Sequence, residues 1–101
     1  MNVRALAEKY EQYVIDCRHW IHQHPETAWQ EWETMEFIEN ELHKMGLETY
    51  RFDDIHTGGW AWIRGGKGGP NKKAILLRAE IDALPVQEKN EDISYASIYP
   101  N

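Results

Sequence analysis

With one cysteine among 101 residues, Cys17, the chain can close no internal disulfide, which agrees with a reducing compartment. Free cysteines are commonly buried, and Cys17 reads as a small apolar residue rather than a nucleophile. Long apolar runs are also missing. No stretch approaches the roughly 20 residues that a helix needs to cross a bilayer. The start of the chain mixes Arg4, Glu8, Lys9 and Glu11 among its apolar residues, so it lacks the unbroken apolar segment of a secretory signal. The cytoplasm is the expected location. Positive charge is scarce: 11 Lys and Arg face 17 Asp and Glu, for a formal charge of −6, which repels nucleic acid and anionic membranes unless basic residues cluster. They do not, since Lys67, Lys72 and Lys73 around a glycine loop read as a solvated turn. Two catalytic signatures are absent as well. There is no Gly-x-Ser-x-Gly elbow, and Gly65-Gly66-Lys67-Gly68-Gly69-Pro70 has neither the spacing of a phosphate loop nor the helix that must follow one.

The residues present are those of one globular domain, 42% hydrophobic and 28% charged. From Val3 to Ile21, Leu6, Tyr10, Tyr13, Val14, Cys17, Trp20 and Ile21 recur at steps of three and four, the mark of an amphipathic helix. That helix should end near Gln23 or His24, because Pro25 disfavours helical geometry in the residue before it. A second helix is expected from about Glu31 to Lys44, with Trp32, Met35, Ile38, Leu42 and Met45 on its stripe and Gly46 at its C-cap. Glu31, Glu33 and Glu36 sit in its first turns, where the helix dipole favours acids.

Beyond Gly46 the period falls to two. Leu47 to Phe52 reads as a strand, Trp60 to Arg64 as a second, and the short connections favour antiparallel neighbours. The glycine loop then feeds a third strand, Lys73 to Pro85. Its apolar run, Ala74 to Leu77, suits a strand buried on both faces, and side chains two apart share a side, so Arg78, Glu80 and Asp82 point one way. In open α/β sheets ligands gather beyond the carboxyl ends of strands, where Glu80 and Asp82 emerge. Paired carboxylates there can hold a metal, orient a histidine or move protons. The alternative is a salt bridge with Arg78 or with lysines on a neighbouring element.

Two helices and three strands cover one face of a small sheet and leave the other bare, although five Trp and five Tyr suit a larger body. His19, His22 and His24 crowd into six residues. His19 and His22 have the i, i+3 spacing of helical metal ligands, but they fall opposite the apolar stripe, on the open face, and make a weak site. His24, on the stripe and beside Pro25, suits a structural role in the turn.

Arg18, His22, His24-Pro25-Glu26, Glu31, Glu33-Thr34, Leu42 to Leu47, and Leu77-Arg78-Ala79-Glu80-Ile81-Asp82-Ala83-Leu84-Pro85-Val86-Gln87-Glu88 together resemble the N-terminal part of the amidohydrolase branch of the aminoacylase and carboxypeptidase metallopeptidase family. Hippurate hydrolases, N-acyl-amino-acid deacylases and auxin-conjugate hydrolases belong to that branch. The resemblance implies a catalytic α/β domain with a mixed sheet and a pair of divalent metals (zinc, manganese, cobalt or nickel). It also implies hydrolysis of the amide between an acyl group and an amino acid. In such enzymes the metal polarises the carbonyl and activates a water, and a glutamate is the general base. Asp82 matches the strand-end aspartate that supports the metal centre without touching the metal. Glu80 stands where this branch has an aspartate and other branches have a metal-binding histidine.

The family's Cys-Gly-His-Asp metal motif would begin shortly after the position of Ser97, while the sequence ends at Asn101. The expectation is therefore an incomplete portion of a catalytic domain over residues 1–101, holding no metal by itself and inactive alone. Through the uncovered sheet it should self-associate. The competing reading is a non-catalytic, self-associating or partner-binding α/β module. The acyl group and the amino acid stay open, because the pocket walls of the family come mostly from later segments.

Overall fold

A computed structural model describes residues 2–55, 57–66, 73–90 and 92–99, and its elements run helix, helix, strand, strand. Contacts divide the chain into two compact units, Met1–Pro25 with Leu84–Asn101, and Glu26–Ala83.

The first unit is built on α1, Val3–Gln23. Asn2 starts it in extended geometry, its side-chain oxygen accepting from the Ala5 N–H at 3.1 Å, as an N-cap does. It ends two residues before Pro25, as the sequence requires. None of its residues is fully buried. In its first half Leu6, Tyr10, Tyr13 and Val14 are exposed, so this end of the apolar stripe is uncovered. The second half is different. Residues from 84–99 lie against it, and Cys17, Trp20 and Ile21 are half-buried. The Ile98 N–H donates to the Gln23 carbonyl at 3.0 Å, and the Gln23 side chain donates to the Ser94 carbonyl at 3.3 Å.

The second unit holds α2, Trp32–Lys44, and a hairpin of β1, Thr49–Arg51, and β2, Gly59–Ala61. The strands pair antiparallel with Tyr50 opposite Trp60. Gly46 stands at φ +82°. Its N–H bonds the His43 carbonyl at 2.9 Å and the Leu47 N–H bonds that of Leu42 at 3.1 Å, a left-handed glycine cap where one was expected. Met35, 5% exposed, is the fully buried apolar residue of the described chain. The hairpin reaches it closely. A Cβ at Gly59 would lie 2.1 Å from the Tyr50 carbonyl oxygen and 2.9 Å from Met35 Cε, so only glycine fits there. Arg51 of β1 donates twice to Glu39 of α2, from Nε at 2.9 Å and Nη2 at 2.5 Å. Those bonds hold the Glu39 carboxyl below its ordinary range against a smaller opposing effect of burial, and they raise Arg51 in turn.

The expected third strand is absent from the described residues. Residues 73–83 have no regular secondary structure, and Ile75, Leu76 and Leu77 are 91%, 85% and 90% exposed. A strand meant to be covered on both faces needs a neighbour at each edge and a layer on each side. A two-stranded hairpin supplies neither. Lys67 to Pro70 of the glycine loop, and Lys72, lie outside the described residues. Among those described, no helix is long and apolar enough to cross a membrane.

Candidate functional site

The carboxylates Glu80 and Asp82 lie near the end of the run 73–83, where the expected alternation is only partial, since Ala79 is exposed like the rest of 73–80. Both are exposed, while Ile81 and Ala83 between and after them are half-buried. Arg78 Nη2 donates to Glu80 Oε1 at 3.4 Å, with the two side chains 75% and 70% exposed. A pair so open to water contributes little to stability, but it does engage Glu80. The bland alternative for Glu80 is thus the contact that forms. Among the described residues Asp82 has no such ion pair, and the bond nearest to it is made by the backbone of the next residue. The Ala83 N–H donates to the Glu26 carbonyl oxygen at 2.7 Å.

Glu26 carries a second job on its side chain. Its carboxylate accepts from the N–H groups of Glu33 at 3.0 Å and Thr34 at 2.7 Å, the second and third residues of α2. Free N–H groups and the positive end of the helix dipole make that end a natural seat for a carboxylate. Glu31, at the N-cap position itself, makes no capping bond. Instead it is 8% exposed and accepts from the Thr57 hydroxyl at 3.3 Å, with Thr57 only 5% exposed. Thr34, at 1% exposure, keeps its hydroxyl oxygen without a partner beside them. The sequence signalled acids near the helix start but not this division of labour. Which acid caps depends on how the chain turns between Pro25 and Trp32, where Trp29 adopts φ +70°.

The histidine cluster is a set of ties. His22 Nε2 lies 2.7 Å from Glu88 Oε2, with side chains 37% and 20% exposed. The His19 ring stacks on Tyr95 at 3.7 Å and 6°, and Arg18 Nη2 is 3.0 Å from His19 Nε2. A guanidinium only donates, so that nitrogen accepts and the ring proton sits on Nδ1. His24 Nδ1 is 2.6 Å from the Trp20 carbonyl oxygen, and its ring stacks on Trp20. His24 thus has the structural role in the turn that its position suggested. His19 and His22 were expected on an open face, yet both are half-buried, because residues after Leu84 occupy that face. Their facing nitrogens are taken up by Arg18 and Glu88 rather than left to chelate a cation.

Among the described residues no group of three or more His, Cys, Asp or Glu is placed to hold a metal ion. Glu80 and Asp82 by themselves do not fit a metal pair, since two exposed carboxylates with one engaged by Arg78 leave most coordination positions to water.

No protein-family model matches the chain. Individual proteins do. Over 74 residues the chain is 47% identical to an IAA-amino acid hydrolase of Arabidopsis thaliana, covering 73% of this chain and 15% of that protein. It is 42% identical over 87 residues to the N-acetyl-L-cysteine deacetylase of Bacillus subtilis, covering 86% of this chain and 20% of that one. Among solved structures it is similar to a dinuclear metal-binding peptidase of the M20 family from Bacillus subtilis. There the TM-score is 0.79 and the identity 34%, over 92% of this chain and 25% of that one. The chain spans a quarter or less of the length of each of these proteins.

Proposed function

Because the chain corresponds to the N-terminal part of the amidohydrolase branch of the aminoacylase and carboxypeptidase metallopeptidases, the M20 family, we propose that it is one portion of a metal-dependent enzyme that hydrolyses N-acyl amino acids. The observation that carries this reading is the 42% identity to a deacetylase of N-acetyl-L-cysteine over 86% of the chain. The auxin-conjugate hydrolase supports the same substrate class, an acyl group joined to an amino acid.

In this reading residues 73–85 are an interior strand of a mixed sheet. Its edges and faces are covered by the parts of the enzyme that the relatives have beyond the matched quarter. Ile75 to Leu77 then become core, and Asp82 stands at the strand end beside the metal centre. The divalent pair (zinc, manganese, cobalt or nickel) supplies Lewis acidity when bound. Its ligands come from outside the described residues, while Asp82 orients them and Glu80 holds Arg78. Alone, the 101 residues are inactive and self-associate through the apolar run. The lone thiol of Cys17 fits a cytoplasmic setting.

A chimera tests this reading. Residues 1–101 replace the matching segment of the Bacillus subtilis N-acetyl-L-cysteine deacetylase, and release of amino acid from N-acyl substrates is followed with each of the four metals. Hydrolysis by the chimera, with none by the 101-residue chain, is the expected result. A folded, metal-loaded chimera that leaves every N-acyl amino acid intact would end the proposal.

A further inference from the structure

Glu26 stands out because its two halves reach different parts of the second unit. Its carboxylate seats the N-terminus of α2 through Glu33 and Thr34, and its carbonyl oxygen takes the N–H of Ala83, the residue after Asp82. The run from residue 73 lacks regular structure and its apolar side chains are bare, so this 2.7 Å bond fastens an otherwise loosely held segment next to its acid. The carboxylate bonds are charge-assisted and paired, which makes the Glu26 side chain a fixed peg rather than a swinging arm. A peg locked to a helix end transmits that rigidity one bond further, to the backbone that carries Asp82.

We infer that Glu26 is a positioning residue for Asp82, setting the strand end by bonding Ala83 while its side chain is anchored in α2. This inference rests on the amidohydrolase reading for its catalytic consequence, but the tie itself is a property of the 101-residue chain. Losing the carboxylate in Glu26→Gln removes the charge and one of two acceptor oxygens, which loosens the peg. Positional errors near an ångström at a reacting centre cost on the order of a hundredfold in rate, so even partial slackening is measurable.

Amide hydrogen exchange on the 101-residue chain is the first arm, with kcat and KM of the chimera as the second. In Glu26→Gln, which keeps the backbone carbonyl but slackens its anchor in α2, the Ala83 amide should exchange faster by up to about tenfold, the limit set by complete loss of a hydrogen bond of ordinary strength. In the chimera kcat should fall at least about tenfold with KM little altered, and Glu26→Asp should restore part of both. Deprotection of the Glu33 and Thr34 amides with Ala83 and kcat unchanged would make Glu26 a helix cap only, and overturn the inference. So would an Ala83 amide in the unmodified chain that exchanges as freely as that of Arg78. Should Glu26→Gln melt α2, an amide-to-ester replacement of the Asp82–Ala83 peptide bond decides, because it deletes the Ala83 donor, leaves the cap whole and avoids the restraint that proline would place on Asp82. A fall in kcat there supports the tie, and an unchanged kcat removes it. An inactive chimera with Glu26 intact would count against the amidohydrolase reading, while the Ala83 exchange would still decide the tie.

Discussion

The α2 and hairpin region and the run 73–83 belong to the same unit, yet they obey their sequences to different degrees. Around Met35 every local signal agrees. The helix stripe, the Gly46 cap, the glycine at the hairpin's closest approach and the Arg51–Glu39 pair each find their partner within about 25 residues of chain. Ile75, Leu76 and Leu77 carry an equally clear instruction and find nothing to execute it. A helix stripe needs one neighbour, whereas a doubly buried strand needs four, two at its edges and two on its faces. An apolar pattern states what a segment requires, and a requirement for four neighbours cannot be met by a helix and a two-stranded hairpin.

The largest effect should come from the acid at the end of the uncompleted run. In the chimera, if Asp82 has the proposed role of orienting the metal ligands, Asp82→Asn should lower turnover by about 10- to 100-fold, and a coupled assay of amino-acid release measures it. Turnover equal to that of the unaltered chimera would take Asp82 out of the mechanism. Next comes the completed region. Gly59→Ala should cost about 3 kcal/mol or more, since its Cβ meets backbone at Tyr50 rather than a movable side chain, and urea unfolding followed by circular dichroism would show it.

A matched pair sharpens the contrast. Met35→Ala should destabilise the 101-residue chain by roughly 2 kcal/mol or more, while Leu76→Ser should stay within about 0.5 kcal/mol. Sedimentation should nevertheless show less self-association in Leu76→Ser, because the side chain it removes is bare. Equal costs for the two substitutions would erase the distinction between the regions.

The smallest effect depends on pH. Glu39 is lowered in the folded chain by its hydrogen bonds from Arg51, so the unfolded chain binds its proton more readily. The stability it contributes is therefore fully present above the ordinary carboxylate range and is lost as pH falls through the lowered folded value. With the Arg51 side chain 39% exposed, solvent screening limits the gain to about 0.5 kcal/mol. Comparing unfolding of Glu39→Gln with the unaltered chain should show a difference near neutrality that disappears in acid.

Much of this was legible beforehand. Both helices, their ends, the antiparallel hairpin and the Gly46 cap follow from spacing, proline and glycine, whose effects are local. The resemblance of the two motifs to the amidohydrolase branch was legible too, and the relatives share it across most of the chain. Three things were not. His19 and His22 looked exposed because periodicity on α1 says nothing of Glu88 and Tyr95, more than 60 residues away in sequence. Glu31 read only as a first-turn acid, since nothing local signals its contact with Thr57 in the hairpin loop. The third strand was legible only as a requirement. Among the described residues it does not form.

Hydrogen exchange at the Ile75, Leu76 and Leu77 amides, in the 101-residue chain and in the chimera, tests the central claim most directly. Free exchange in the chain alone and strong protection in the chimera are predicted, as for a run that becomes an interior strand when the remainder of the deacetylase surrounds it. Free exchange in both would contradict the account, because the apolar run would then belong to no sheet at all.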